Sequence, residues 1–177
     1  MSFDRQPTLR GSLLELRPLR GGDFDALYGV AADPLMWALH PARDRYQEPV
    51  FRVFFDDGLA SGGALLATDR KTGQVIGTSR FDGYDEARSE IEIGWTFLAR
   101  AHWGGTYNGE MKQLMLTHAF RYVRRVVFKV GQGNVRSQRA LEKIGAVRNG
   151  FRPDAGGELR VLFEITPELF ERWVASR

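Results

Sequence analysis

The residues best suited to chemistry crowd into one stretch. Glu90 and Glu92 open EIEIGWTFL (Glu90 to Leu98), where strand alternation puts Glu90, Glu92, Gly94 and Thr96 on one face and Ile91, Ile93, Trp95 and Phe97 on the other. Gly104 and Gly105 lie in ARAHWGGT (Ala99 to Thr106), just before the helical pattern YNGEMKQLMLTHAFRY (Tyr107 to Tyr122). Asn134 and Ser137 begin NVRSQRALEKIGA (Asn134 to Ala146). A strand that turns through glycines into a helix offers unpaired backbone N–H groups and the positive end of the helix dipole. Such an end binds anions, and a pyrophosphate is a common occupant. A glycine pair before a helix also marks an ordinary strand-to-helix turn, but the second unit at Asn134 strengthens the anion-site reading. A carboxylate such as Glu92, with Glu90 as its weaker rival, could take a proton from a bound group. It could equally be a solvated strand carboxylate paired with an arginine.

Composition removes several other chemistries. The chain has no cysteine, which excludes disulfides, cysteine-based zinc sites and a cysteine nucleophile. The spacing of its histidines and acids suggests no metal site. His118 falls on an apolar helical stripe and reads as a core residue. His40, between Trp37 and Pro41, is a candidate base, although loop filling explains it more simply. The formal charge is +3, from 25 basic and 22 acidic residues, spread along the chain. The densest basic cluster, Arg121, Arg124 and Arg125, sits by a predicted helix end, where cations complement the dipole. No nucleic-acid motif accompanies it, so no nucleic-acid partner is expected. Asp4, Arg5 and Gln6 interrupt any apolar leader, and no run approaches the ~18 apolar residues of a membrane span. A cytoplasmic protein without a membrane partner is expected.

The elements that must position these residues can be read from periodicity. At 177 residues the chain is expected to form one domain, 1–177. Leu13–Leu19 alternates as a strand. Asp23 is placed to cap a helix reaching about Ala32, and a second helix runs from Glu48 to about Ala60, ended by Ser61-Gly62-Gly63. Asp33–Gln47 reads as a loop near the substrate side. A hairpin joins Ala64–Asp69 to Gln74–Tyr84, and the strand Glu90–Leu98 follows. In the central helix Met111, Leu114, Met115, His118, Ala119 and Tyr122 form the apolar stripe. Val126–Gly131 is a buried strand, and Asn134 caps a helix that stops at Gly145. A closing hairpin, Arg148–Arg152 with Leu159–Ile165, and a helix from Pro167 complete the order β-α-α-β-β-β-α-β-α-β-β-α. This is an α/β (α+β) chain with a mixed sheet and helices on both faces.

EIGW (Glu92 to Trp95), WGGTYNGEMK (Trp103 to Lys112), NVRSQRALEKIGA and the C-terminal ELRVLFEITPELF together resemble the GNAT superfamily of N-acetyltransferases. The closest likeness is to the branch that acetylates ribosomal-protein N-termini. The resemblance covers nearly the whole chain. It implies a mostly antiparallel mixed sheet splayed at a central V-shaped wedge, with acetyl-CoA as co-substrate lying in that wedge. It implies that the pantetheine pairs with backbone groups of Phe97, Leu98 and Ala99. The pyrophosphate would rest on the N–H groups of Gly104, Gly105, Thr106, Tyr107 and Asn108, and Asn134 and Ser137 would contact the pantetheine and thioester end. Where the superfamily loop has Arg or Gln, then Gly, then Gly or Ala, this chain has Trp103, Thr106 and Asn108. The Thr106 hydroxyl and Asn108 amide can donate to phosphate oxygens in compensation.

The implied reaction is acetyl transfer to a primary amine in a ternary complex. The acceptor must lose a proton first, and Glu92 is the candidate base. A backbone N–H near Leu98 would hold the developing oxyanion. Many superfamily members carry a tyrosine acid eight residues beyond the Asn, and here that position is Glu142, so Ser137 is the candidate partner for the sulfur. Asn134 and Ser137 also have simpler roles as helix-capping residues. The acceptor could be a protein N-terminus, or a small molecule such as an aminoglycoside, polyamine or amino acid. A non-catalytic acyl-CoA-binding protein is the third reading. A homodimer is compatible with the resemblance.

Overall fold

A computed structural model describes residues 2–177. Among these residues, eight strands and five α-helices follow one another: β1 (Leu9–Arg10), β2 (Leu14–Pro18), α1 (Phe24–Ala31), α2 (Glu48–Ser61), β3 (Ala64–Asp69), β4 (Val75–Asp85), β5 (Glu90–Leu98), α3 (Thr106–Ala119), β6 (Arg125–Val130), α4 (Val135–Lys143), β7 (Val147–Pro153), β8 (Leu159–Ile165) and α5 (Pro167–Ala175). They build one sheet of order β1-β2-β3-β4-β5-β6-β8-β7. Neighbours from β1 to β5 are antiparallel, as are β6·β8 and β7·β8. β5 and β6 run parallel, so the chain needs a crossover between them, and α3 provides it.

Each face of the sheet buries its own apolar cluster, as the expected two-sided helix layering requires. On one face Met111, Met115 and Leu116 of α3 and Leu141 of α4 pack with Ile91, Ile93, Phe128 and Phe163. On the other, Phe24 and Leu27 of α1 and Phe51 and Phe55 of α2 pack with Leu66 and Phe97. Gly62 ends α2 in the left-handed region (φ +68°), and Gly145 (φ +86°) follows α4, whose start Asn134 caps through Oδ1 from the Ser137 N–H (3.3 Å).

Some boundaries differ from the sequence reading. Asp23 does not cap α1 with its side chain. Its carboxylate instead accepts from the Arg20 N–H (2.8 Å) and takes the Arg17 guanidinium at 2.7 and 2.9 Å. α3 ends at Ala119, three residues before the expected Tyr122, because the chain tightens. The Arg121 and Tyr122 N–H groups reach back three residues to the His118 and Ala119 carbonyls, and the chain turns into β6. Arg125 therefore opens a strand rather than decorating a helix end, and it lies 3.8 Å from Glu90 and 3.4 Å from Glu164.

Candidate active site

β5 and β6 pair over Glu90↔Arg125, Ile91↔Val126 and Glu92↔Val127, and beyond these residues their pairing stops. The gap opens where β5 carries a bulge. The β4 register skips there, pairing Thr78 with Phe97 but Arg80 with Gly94. Trp95 lies inside the bulge at φ +52°, a conformation that costs a bulky residue about 1–3 kcal/mol. A bulge of this kind re-aims every side chain after it. The expected alternation therefore fails beyond Gly94. Trp95 and Phe97 do not share a face with Ile91 and Ile93. Phe97 packs with Trp37, Phe51 and Phe54 on the α1/α2 side, and Arg80 stacks on Trp95 at 4.3 Å. Thr96 turns to the α3 side, where its hydroxyl meets Lys112 Nζ at 2.9 Å.

The bulge also sets which backbone groups face the gap. The Ala99 N–H donates to the Ile76 carbonyl of β4 (2.7 Å), so alternation turns the Leu98 N–H and C=O outward. Of the expected trio Phe97, Leu98 and Ala99, Leu98 is thus the residue whose backbone is presented. Phe97 contributes its ring to the core and Ala99 binds β4. The Leu98 carbonyl accepts from the Trp103 indole at 2.8 Å.

At the open end, Gly104 (φ +113°) and Gly105 (φ +103°) adopt backbone angles that side-chain-bearing residues rarely reach, and no atom lies within 4 Å of where a Cβ would sit. α3 starts at Thr106 with no side-chain cap and no acid in its first turn, so its leading N–H groups and dipole are unopposed. Thr106 is exposed, and its side chain does not plug the loop. The Tyr107 side chain leaves the site. Its hydroxyl lies 3.4 Å from Asp69 and its ring packs edge-on against His102, anchoring the helix start to β3. Tyr107 can offer only its N–H. Asn134 is buried, with Oδ1 engaged in the α4 cap, which leaves its Nδ2 as the group for a ligand. Ser137 sits beside it on the first turn of α4.

Glu92 stands at the apex, at the last paired position, on the face opposite α3. It is buried, and burial raises its pKa against the opposing pull of Lys129, 3.1 Å away. The simpler reading of a solvated carboxylate paired with arginine does not describe it. Arginines pair instead with Glu90, which is more buried still: Arg152 holds it at 2.5 Å and Arg125 at 3.8 Å. On the same side as Glu92, a cleft of about 460 Å³ is lined by Arg45, Pro49, Val53, Phe54, Asp57 and Trp95, among others. The loop before α2 supplies Arg45, whose guanidinium stacks on Trp37 (5.1 Å) and Phe54 (4.4 Å). His40 is a poor base. Burial, with Arg45, Arg136 and Arg160 nearby, lowers its pKa to about 4, and its Nδ1 accepts from the Ala42 N–H (2.9 Å). Among the described residues no group of three His, Cys, Asp or Glu could hold a metal, and no helix is long and apolar enough to cross a membrane.

Residues 14–147 match the family model described as an acetyltransferase (GNAT) domain. The chain belongs to the GNAT acetyltransferase family. Its enzymatic class is acyl transfer, the GNAT reaction type. A curated relative, the uncharacterized N-acetyltransferase p20 of Bacillus licheniformis, is 27% identical over 158 residues, covering 83% of this chain and 86% of p20. A putative acetyltransferase from T. thermophilus is 29% identical, with 96% of each chain covered and a TM-score of 0.73. Mycobacterium smegmatis RimJ in complex with CoA-disulfide shares the fold at 19% identity, covering 96% of this chain and 93% of that one, with a TM-score of 0.68. The parted strands lie within the residues matched to the GNAT domain.

Sequence reasoning passed over two residues beside this candidate site. Arg136, on the first turn of α4, stacks on Trp103 at 3.8 Å and brings a cation to the anion loop. Nothing in local spacing joins positions 103 and 136. Lys112 is buried on α3 although it is charged. Here a signal existed: Lys112 precedes Leu116 by four residues and Ala119 by seven, which places it on the buried stripe.

Proposed function

We propose that this GNAT protein moves an acetyl group from acetyl-CoA directly to a primary amine bound in the cleft beside Trp95, within a ternary complex. The observation that carries the reading is the parting of β5 and β6 immediately beyond Glu92. That parting puts a buried carboxylate at the apex, an outward Leu98 N–H along one arm and an uncapped helix N-terminus at the mouth. The donor set fits a diphosphate with a long polar arm, because amides, one cation and a side-chain amide face the gap and no acid opens α3.

When bound, acetyl-CoA supplies an acyl carbon activated by a thiolate leaving group. The N–H groups of Gly104, Gly105, Thr106, Tyr107 and Asn108 would hold the diphosphate, helped by the Thr106 hydroxyl, the Asn108 amide and Arg136. Asn134 Nδ2 would orient the pantetheine arm. The Leu98 N–H would hold charge developing on the thioester oxygen. Glu92 would take the proton of the incoming amine, and its raised pKa makes it a stronger base than an ordinary carboxylate. Ser137 would hydrogen-bond the sulfur.

Base strength also bears on the acceptor. A carboxylate is better matched to an α-amine (pKa roughly 7.7–8.0) than to a lysine amine (about 10.4). A protein N-terminus therefore suits the site. A second reading, a free amino acid, is favoured by Arg45 on the cleft wall, which could receive its carboxylate. The same cation, with Arg80 behind Trp95, disfavours polyamines and aminoglycosides. Thermal shift with acetyl-CoA tests binding, which should raise Tm by mass action. Thiol release with peptides, amino acids and polyamines then ranks acceptors. No Tm change at millimolar acetyl-CoA would end the reading. Binding without thiol release from any amine would leave an acyl-CoA-binding protein.

A further inference from the structure

Lys112 is the least expected residue of the molecule. It is a lysine on the wholly buried face of α3, between the arms of the gap. Its Nζ donates to the Thr96 hydroxyl on β5 (2.9 Å) and lies 5.8 Å from the ring centroid of Phe128 on β6. Thr96 Oγ1 in turn lies 2.8 Å from Ser79 Oγ on β4 and 3.4 Å from the Gly94 carbonyl. Thr96 shares the bulge with Trp95, both lying opposite Ser79, and is half-buried at the edge of the gap.

Among the described residues no ionised group faces Lys112. Glu92 and Lys129 alternate with Ile91, Ile93, Phe128 and Val130, which pack toward α3, and so point to the opposite face. Of the charged or titratable residues on α3 itself, Glu110 is held by Ser12, Leu13 and Leu14, and His118 by the Asp4 carbonyl. The two remaining N–H bonds of an ammonium have no partner among these residues, and keeping such a charge dry is unfavourable. Burial alone lowers the pKa to about 7. A lysine in that state sits between two protonation forms, and a hydroxyl already bonded to it links it to the gap.

We propose that Lys112 and Thr96 form a proton relay to the departing sulfur. The inference rests on the acetyl-transfer reading above. As the C–S bond breaks, its electron pair goes to sulfur. Thr96 gives its hydroxyl proton to the sulfur and receives one from Lys112 Nζ, so the products are a free thiol, an intact threonine and a neutral lysine. Solvent reprotonates Lys112 after the thiol leaves. Lys112 acts through Thr96 and is a positioning and proton-supplying residue rather than one that touches the reacting atoms. Ser137 cannot replace it, because an unassisted hydroxyl is too weak an acid near neutral pH, whereas a donor matched to the working pH is effective.

The test uses the full-length protein with Lys112→Met, Thr96→Val, Thr96→Ser and the double variant K112M/T96V. Methionine keeps length and removes a buried cation, so K112M should fold. Its Tm should exceed that of the parent at pH 6, with the advantage shrinking as pH rises from about 7 toward 10.5, because the folded parent then holds its lysine neutral while the unfolded chain still binds the proton. Acetyl-CoA affinity by calorimetry should stay within about threefold of the parent, a small effect on this scale. K112M and T96V should each lower kcat by about 10- to 100-fold, T96S should restore it, and the double variant should be no slower than either single one. The parent's kcat/KM should fall above pH 7 as the relay loses its proton, and K112M should lack that fall. A readout independent of turnover is proton uptake on CoA binding at pH 7, measured in buffers of different ionisation heat. The parent should take up as much as about a third of a proton more than K112M, because the cofactor's negative charge favours the ammonium. A K112M protein that binds acetyl-CoA and keeps the parent's alkaline limb overturns the relay. So do additive losses in the double variant, or a tenfold loss of cofactor affinity, which would make Lys112 a binding group. A parent that transfers acetyl to no amine would instead overturn the acetyl-transfer reading itself.

Discussion

Replacing Glu92 with glutamine isolates the proposed base from the fold around it. The substitution keeps the side chain's shape and an oxygen facing Lys129, 3.1 Å away, but removes the site that would accept the amine proton. Two stability terms oppose each other. Losing the ion pair costs something, while removing a buried negative charge, whose desolvation is the largest influence on Glu92, gains something. Lys129 keeps a neutral acceptor, so the net change should stay within about 1 kcal/mol, or about 2–4 °C in Tm for a chain of this length. A positioned base contributes about 10²–10⁴ in rate, so turnover at pH 7 should fall by at least about 100-fold. The parent must ionise Glu92 to work, so its rate should climb as pH rises through the raised carboxylate pKa. The variant should lose that limb. The assay is thiol release across pH 6–9 with saturating acetyl-CoA, alongside calorimetry to show that the cofactor still binds. Equal pH profiles in the two proteins would refute Glu92 as the base, and a Tm loss beyond 10 °C would mark it as structural.

Other outcomes follow from the same geometry. Asn134→Ala should lower Tm by about 2–4 °C through loss of the α4 cap and weaken CoA binding by about 10-fold. A changed Tm with intact affinity would reduce Asn134 to a cap. Glu110→Gln should lower Tm by about 4–8 °C, because the Ser12 hydroxyl and the Ser12, Leu13 and Leu14 N–H groups all donate to that carboxylate at 2.7–2.9 Å. Wild-type stability in scanning calorimetry would refute the anchor. The same carboxylate has a net-lowered pKa, since these donors together outweigh the burial that raises it. Its contribution is present at neutral pH and disappears as pH falls through that lowered value. His40 is held neutral with a pKa of about 4, below its ordinary 6.5. Its contribution is complete above pH 6.5 and is lost as pH falls toward 4. His40→Gln should therefore lose less stability than the parent between pH 7.5 and 4.5, by about 1 kcal/mol or more in urea unfolding, and parallel losses would contradict the burial.

Much of this is legible from residue order. Alternation places the strand Glu90–Leu98 at its observed ends, and capping places Asn134 at the start of α4, because both act over a few residues. The glycine pair before α3 and the motifs around it lead to the family, since backbone φ and helix ends are local properties. Alternation assigns three side chains on β5 to the wrong faces because a bulge shifts strand phase by one. The shift falls at Trp95, whose ring lies under Arg80 of β4, a partner fifteen residues away. Asp23 reads as a cap but is not one, because Arg17, six residues earlier, outcompetes the helix N–H groups for its carboxylate once β2 and α1 meet. Residue types and periods settled which elements form and that no cysteine thiol takes part, and they pointed to where an anion could rest. The tertiary structure alone decided that Leu98 faces the gap, that Glu92 is buried beside Lys129 while Glu90 is caged by arginines, that Arg136 reaches Trp103 and that a lysine lies beneath the wedge. Each of those facts depends on contacts between residues far apart in the chain, where burial and charge pairing are set by what the fold brings alongside.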